Sequence, residues 1–126
     1  MAGVVKKTFA SPDEVRTPHK TRLDVVDLGR CKAARLTLQP GWRWSKDVKP
    51  VAGTPSCQSH HVGTVISGKM HVVHNDGTEV DLKKGDVYVI EPGHDASVTS
   101  DKPFVALEFD TITAVTYADG TYAKPS

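Results

Sequence analysis

Apolar and polar residues alternate along most of this chain with a period of two, the period of a strand with one face buried. Leu23 to Leu28 opens the pattern. Asp27-Leu28-Gly29-Arg30 turns it into a second run, Cys31 to Leu38, in which Ala34, Leu36 and Leu38 share a face. Pro40-Gly41 ends that run, and Trp42 and Trp44 then alternate with Arg43 and Ser45, so a strand here sends both indoles to one side. Lys49 to Pro55, with Pro50 and Gly53, reads as loop. Strands resume over Val62 to Ser67 and through Met70 and Val72. Asn75-Asp76-Gly77-Thr78 is a hairpin turn, because Asp-Gly supplies the positive φ a tight turn requires. Val80 and Leu82 return the chain, and Lys83-Lys84-Gly85-Asp86 turns it again. Val87-Tyr88-Val89-Ile90 is apolar at every position, which predicts a strand buried on both faces. After Pro92-Gly93, Ala96 to Thr99 and Phe104 to Phe109 complete the set.

These strands predict an organisation in three parts: an N-terminal arm over 1–20, a β-domain over 21–112 and a C-terminal tail over 113–126. The arm is polar, and Ser11-Pro12-Asp13-Glu14 has the cap and first-turn proline of a single helical turn. The tail carries Tyr117 and Tyr122 and reads as a swapped or a packing segment.

Composition supports the all-β reading. Seventeen Val and twelve Thr stand against six Leu, and β-branched side chains suit a pleated surface. With 126 residues the chain can bury a core of its own. A formal net charge of +1 lacks the basic excess that nucleic acid or an anionic membrane would select. No apolar run exceeds four residues, so the reading includes neither a membrane span nor a signal-peptide core. Two cysteines, Cys31 and Cys57, are expected as reduced thiols in a cytoplasm. Phosphate-loop, H-E-x-x-H, G-x-S-x-G and C-x-x-C motifs do not occur.

Two segments carry a resemblance. Gly85-Asp86 followed by Glu91-Pro92-Gly93 resembles the second motif of the cupin superfamily, and His61 through Val65-Ile66-Ser67-Gly68 resembles the end of the first. The similarity covers about residues 21–112 and implies a double-stranded β-helix, a jelly-roll barrel with an internal pocket and often a dimer. Metal-binding members hold one divalent ion with two His and a Glu from the first motif and a His from the second. Carried over from Gly68, the Glu position falls on His61, the second His on Cys57 and the first on Pro55. Carried over from Gly85, the last His falls on Ala96, two residues beyond His94. None of the four usual ligands is present as such.

A replacement set is available in Cys57, His61 and His94, one thiolate and two imidazoles, good ligands for zinc, with iron and manganese as alternatives. A straight strand would hold Cys57 and His61 about 13 Å apart at roughly 3.3 Å per residue, so both reach one ion only if Gln58-Ser59-His60 bends. By parity His61 points inward and His60 outward. Trp42, Trp44, Tyr88, Glu91 and His74 are the expected remainder of the pocket, with Asp95 a candidate to orient His94 and Arg35 and Arg43 candidates for its mouth. Two readings stay open: a small-molecule-binding cupin with a divalent metal in its pocket, and a metal-free binding or sensing domain without catalysis. Exposed sheet edges and the arm favour a homodimer in either case.

Overall fold

The computed structural model describes residues 3–109. Nine strands form two antiparallel sheets facing one another: β1 (Glu14–Arg16), β2 (Thr21–Asp27), β3 (Lys32–Leu38), β4 (His61–Ser67), β5 (Lys69–His74), β6 (Glu79–Lys83), β7 (Val87–Ile90), β8 (His94–Val98) and β9 (Phe104–Phe109). The larger sheet runs β1-β2-β3-β9-β4-β7 and the smaller β6-β5-β8. Two helical turns, α1 (Trp44–Asp47) and α2 (Lys49–Ala52), lie between β3 and β4. The all-β jelly roll implied by the resemblance is the architecture observed. Among the described residues, no helix is long and apolar enough to cross a membrane.

The period-two reading explains most of the core. On β3, Ala34, Leu36 and Leu38 are all buried, and on β9 so are Phe104 and Ala106. Leu23 and Val25 on β2, Val65 on β4, and Met70 and Val72 on β5 join them between the sheets. β2 pairs with β3 from Thr21↔Leu38 to Asp27↔Lys32, and β9 then lies between β3 and β4.

Four local expectations are corrected. Ser11 to Glu14 forms no helical turn: the Asp13 N–H donates to the Val25 carbonyl at 2.9 Å and Glu14 pairs with Val25, so edge pairing takes the backbone groups a helix would need. Trp42 to Ser45 is not a strand either. Arg43 makes one isolated bridge to Ser97, and Trp44 begins α1, whose Asp47 carboxylate accepts the Arg43 N–H at 2.9 Å. The segment expected as loop from Lys49 contains α2, closed by Gly53 at φ 75°. On β7 only one face is buried. Val87 and Val89 are 79% and 63% exposed, because β7 ends the larger sheet and an antiparallel sheet needs cover on one face only. The tail expected over 113–126 lies outside the described residues, as does the 110–112 end of the β-domain.

Candidate metal centre

The bend required between Cys57 and His61 is present. Gln58-Ser59-His60 has no regular structure, and Cys57 departs from the line of β4 to pair across to the start of β8. Its N–H donates to the His94 carbonyl at 2.7 Å, and its own carbonyl accepts from Gly93 N–H at 2.7 Å. Gly93 has φ 100°, a left-handed turn that an L side chain adopts only with strain. That turn starts β8 at His94, two residues earlier than the alternation predicts. Backbone pairing thus sets Cys57 beside His94, and parity on β4 sets His61 facing both, while His60 points out to solvent.

Side chains complete the cluster. Cys57, His61 and His94 are all buried, and one ligand atom from each lies within 4.8 Å of the other two. Cys57 Sγ and His61 Nε2 are 3.8 Å apart. The His61 and His94 rings meet edge to face with centroids 5.0 Å apart. Ligands held at zinc distances around a tetrahedral ion stand roughly 3.3 to 3.8 Å apart, so closure by at most about 1.5 Å completes the set.

The outer nitrogens are anchored. His61 Nδ1–H donates to Glu108 Oε1 at 2.9 Å, and His94 Nδ1–H donates to the Glu91 carbonyl at 2.7 Å. Both imidazoles therefore keep Nε2 for the cluster, as the rings of metal-ligating histidines do when a carboxylate or carbonyl fixes their tautomer. Glu108 is buried and also accepts from the Tyr88 hydroxyl at 2.6 Å. Gly63 permits this bond: it pairs with Tyr88 on one side and Glu108 on the other, and a Cβ there would come within 3.0 Å of the Tyr88 hydroxyl and 2.9 Å of Glu108 Cγ.

Charge in the cluster is coupled. Burial would push the Cys57 thiol up, but hydrogen bonds and charge from His61 and His94 outweigh it and bring it down to about 6. Burial pulls the other way on His61, and there the Glu108 charge and the Cys57 contact prevail, raising it to about 10. Tyr88 is pushed upward by burial and by the neighbouring Glu108 charge, so it stays a neutral donor. Both shifts favour the charged pair, a thiolate facing an imidazolium, and an ion would have to displace the proton so held on His61.

The cluster lines a central cavity of about 30 Å³, enclosed by Leu36, Leu38, Trp42, Trp44, Met70 and Phe104 among others. Trp42, Trp44 and Tyr88 face it, although the indoles arrive from a coil and a helical turn rather than from one strand. Glu91 and His74 do not line this cavity. They border a second hollow of about 680 Å³ between β6 and β7, and Tyr88 and Ile90 form the wall between the two. The Glu91 side chain is exposed and only its carbonyl serves the cluster, because the Pro92-Gly93 turn swings the chain outward. His74 is held at that turn, its Nε2–H donating to the Pro92 carbonyl at 2.8 Å. Asp95 does not orient His94 but accepts the Ser45 and Ala96 N–H groups. Arg35 turns away from the mouth to pair with Asp24 at 3.2 Å, and Arg43 is exposed.

Glu108 is not among the residues that the motifs single out. The signal for it lies in parity: on Phe104 to Phe109 it shares the inward face with Phe104 and Ala106, and a carboxylate on an otherwise apolar face needs a partner.

A family model described as "Cupin domain" matches residues 48–110, half of the chain. Among solved structures, the chain is similar to the formate complex of Lactobacillus farciminis oxalate decarboxylase, with a TM-score of 0.55 and 19% identity over 76% of this chain and 30% of that one. It is also similar to an uncharacterized conserved protein with a double-stranded β-helix domain from Klebsiella pneumoniae, with a TM-score of 0.52 and 21% identity over 75% of this chain and 78% of that one. The cupin domain of Schizosaccharomyces pombe Cnp3 gives 0.53 and 14%, over 82% and 72%. The chain thus spans less than a third of the oxalate decarboxylase chain. No match to a curated protein sequence was found.

Proposed function

Since the chain belongs to the cupin family, we propose that it is a small-molecule-binding cupin whose barrel holds one divalent metal through Cys57, His61 and His94. The observation that supports this most directly is the pair of anchored imidazoles. Each is tied by Nδ1, one to Glu108 and one to the Glu91 carbonyl, and each leaves Nε2 for the space beside Cys57 Sγ. A set of one thiolate and two imidazoles suits zinc better than iron or manganese, which take harder, oxygen-rich sets. Three protein ligands leave a position for water or a small molecule, and a metal there would polarise a bound carbonyl or acidify a bound water. The chain's own part is to orient the ligands through Glu108 and the Glu91 carbonyl and to keep bulk water out with Leu36, Trp44 and Phe104.

Metal analysis of protein purified without an affinity tag tests this. About one zinc per chain is expected, lost in Cys57→Ser and His94→Ala. Protein that stays metal-free after exposure to zinc, iron and manganese in turn would leave the second reading, a metal-free binding domain. What favours that reading is the charge balance of the cluster, since thiolate and imidazolium compensate each other with no ion. The exposed valines of β7 support a homodimer as the assembled form, and two free thiols suit the reducing cytoplasm.

A further inference from the structure

Two side chains, Tyr88 and Ile90, stand between the central cavity and the outer hollow, and both spaces are lined by them. Every other residue around the central cavity is buried, as Tyr88 is, whereas Ile90 is only partly buried and packs against that core. The wall is therefore thinnest at Ile90. Among the described residues, β7 ends the larger sheet and β6 the smaller, so the hollow lies along a seam where neither strand has a further neighbour. A strand paired on one side only yields locally at lower cost than one paired on both.

The two wall residues differ in what holds them. The Tyr88 hydroxyl donates to Glu108 at 2.6 Å, and moving it would break a buried hydrogen bond. Ile90 is aliphatic and held by packing alone, so a change of rotamer breaks no hydrogen bond. Its cross-strand neighbour on β4 is His61, and its displacement uncovers the cavity beside that ring.

Charge along the seam has one sign. Asp76 and Glu91 line the hollow with His74, and neither Lys nor Arg is among the lining residues. Carboxylates at the edge of an apolar cleft repel an anion on its way in and draw a cation.

We propose that ions and small reagents reach Cys57, His61 and His94 through the seam between β6 and β7, with the Ile90 side chain as its gate and the carboxylates of Asp76 and Glu91 disfavouring anions. The route deepens the reading of the cluster as a metal centre but does not depend on a bound ion, so it is tested on metal-free protein.

Alkylation of Cys57 is the readout, followed by peptide mass spectrometry. Iodoacetamide and iodoacetate are the probes, alike in size and different by one charge, each forming a C–S bond with release of iodide. Cys31 is the internal reference, a free and half-buried thiol that lines neither space. Protein is kept dilute, so that pairing along β7 does not cover the seam. In the native protein the Cys57 rate is expected to be nearly flat in low urea, because opening at one side chain exposes little surface. A rate that climbs from the first addition with the full slope of global unfolding overturns the route, even if no variant folds. Ile90→Ala is expected to raise the Cys57 rate roughly 10- to 50-fold, since three fewer carbons have to be displaced, and to leave Cys31 within about twofold. An unchanged Cys57 rate in the folded variant, or an equal rise at Cys31, overturns it too. At low salt iodoacetate is expected to react with Cys57 about tenfold more slowly than iodoacetamide, and Glu91→Gln to narrow that gap. A gap that Glu91→Gln leaves unchanged overturns the part given to charge. Zinc content decides the metal reading separately, and protein that takes no zinc leaves the route standing on the alkylation rates.

Discussion

His61 gives its Nδ1–H to Glu108 at 2.9 Å, and that one hydrogen bond decides which ring nitrogen faces Cys57. The carboxylate itself is held by Tyr88 from the neighbouring strand, through the gap left by Gly63. β7, β4 and β9 thus act together on a ring that only β4 carries.

Glu108→Gln tests the electrostatic part of that link. The amide keeps the shape, and its oxygen still accepts from Nδ1, but the negative charge is lost. Zinc affinity is expected to fall about 10- to 100-fold, the usual effect of removing a group that orients a metal ligand. Competition with a chromophoric chelator measures it. Unchanged affinity would show that the carboxylate does not tune the cluster.

Gly63→Ala tests the steric part. The new Cβ would meet the Leu107 carbonyl, Glu108 Cγ and the Tyr88 hydroxyl. Backbone cannot yield as a side-chain tip can. A loss of about 1–3 kcal/mol is expected in urea or thermal unfolding, with weaker zinc binding beside it. A fully stable variant would mean that β4 and β9 can separate at no cost.

Stability of the metal-free protein is expected to depend on pH in a way set by the Cys57–His61 pair. His61 is raised from 6.5 to about 10, so its contribution is complete below about 6.5 and is lost as pH rises through about 10. Cys57 is lowered from 9.0 to about 6, so its contribution is complete above about 9 and is lost as pH falls through about 6. The two opposing slopes cancel between, giving a plateau from about 6.5 to 9 with a fall on either side. Urea midpoints across pH 5 to 11 measure this, and Cys57→Ser should remove the acid-side fall. An acid limb identical in that variant would assign it to other groups.

The outer face of β7 carries a prediction about assembly. Among the described residues, β7 ends the larger sheet with Val87 and Val89 exposed, and an edge of that kind invites pairing. Val89→Lys is expected to convert a dimer to monomer, read by light scattering after gel filtration, without changing zinc content. A dimer unaffected by the lysine would place the contact elsewhere.

Alternation along the chain was enough to find β2 to β9, since burial on one face is written locally in every second residue, but it missed β1 and set a strand over Trp42 to Ser45 where there is none. The turns were equally local: Asp76-Gly77 and Lys84-Gly85 carry their positive φ in their own glycines. The residue types of the cluster and the inward parity of His61 could be read the same way. Tertiary structure alone decided the rest. Cys57 and His61 come within 3.8 Å because a backbone bridge to His94 bends the chain, and that bridge joins residues far apart in sequence. Glu108 reaches His61 only once β9 lies beside β4. Burial also failed as a local property on β7, where four apolar residues look alike in sequence, yet the sheet's edge leaves two of them in water. Period, turn and parity are properties of a few neighbouring residues, whereas convergence depends on which distant strands become neighbours.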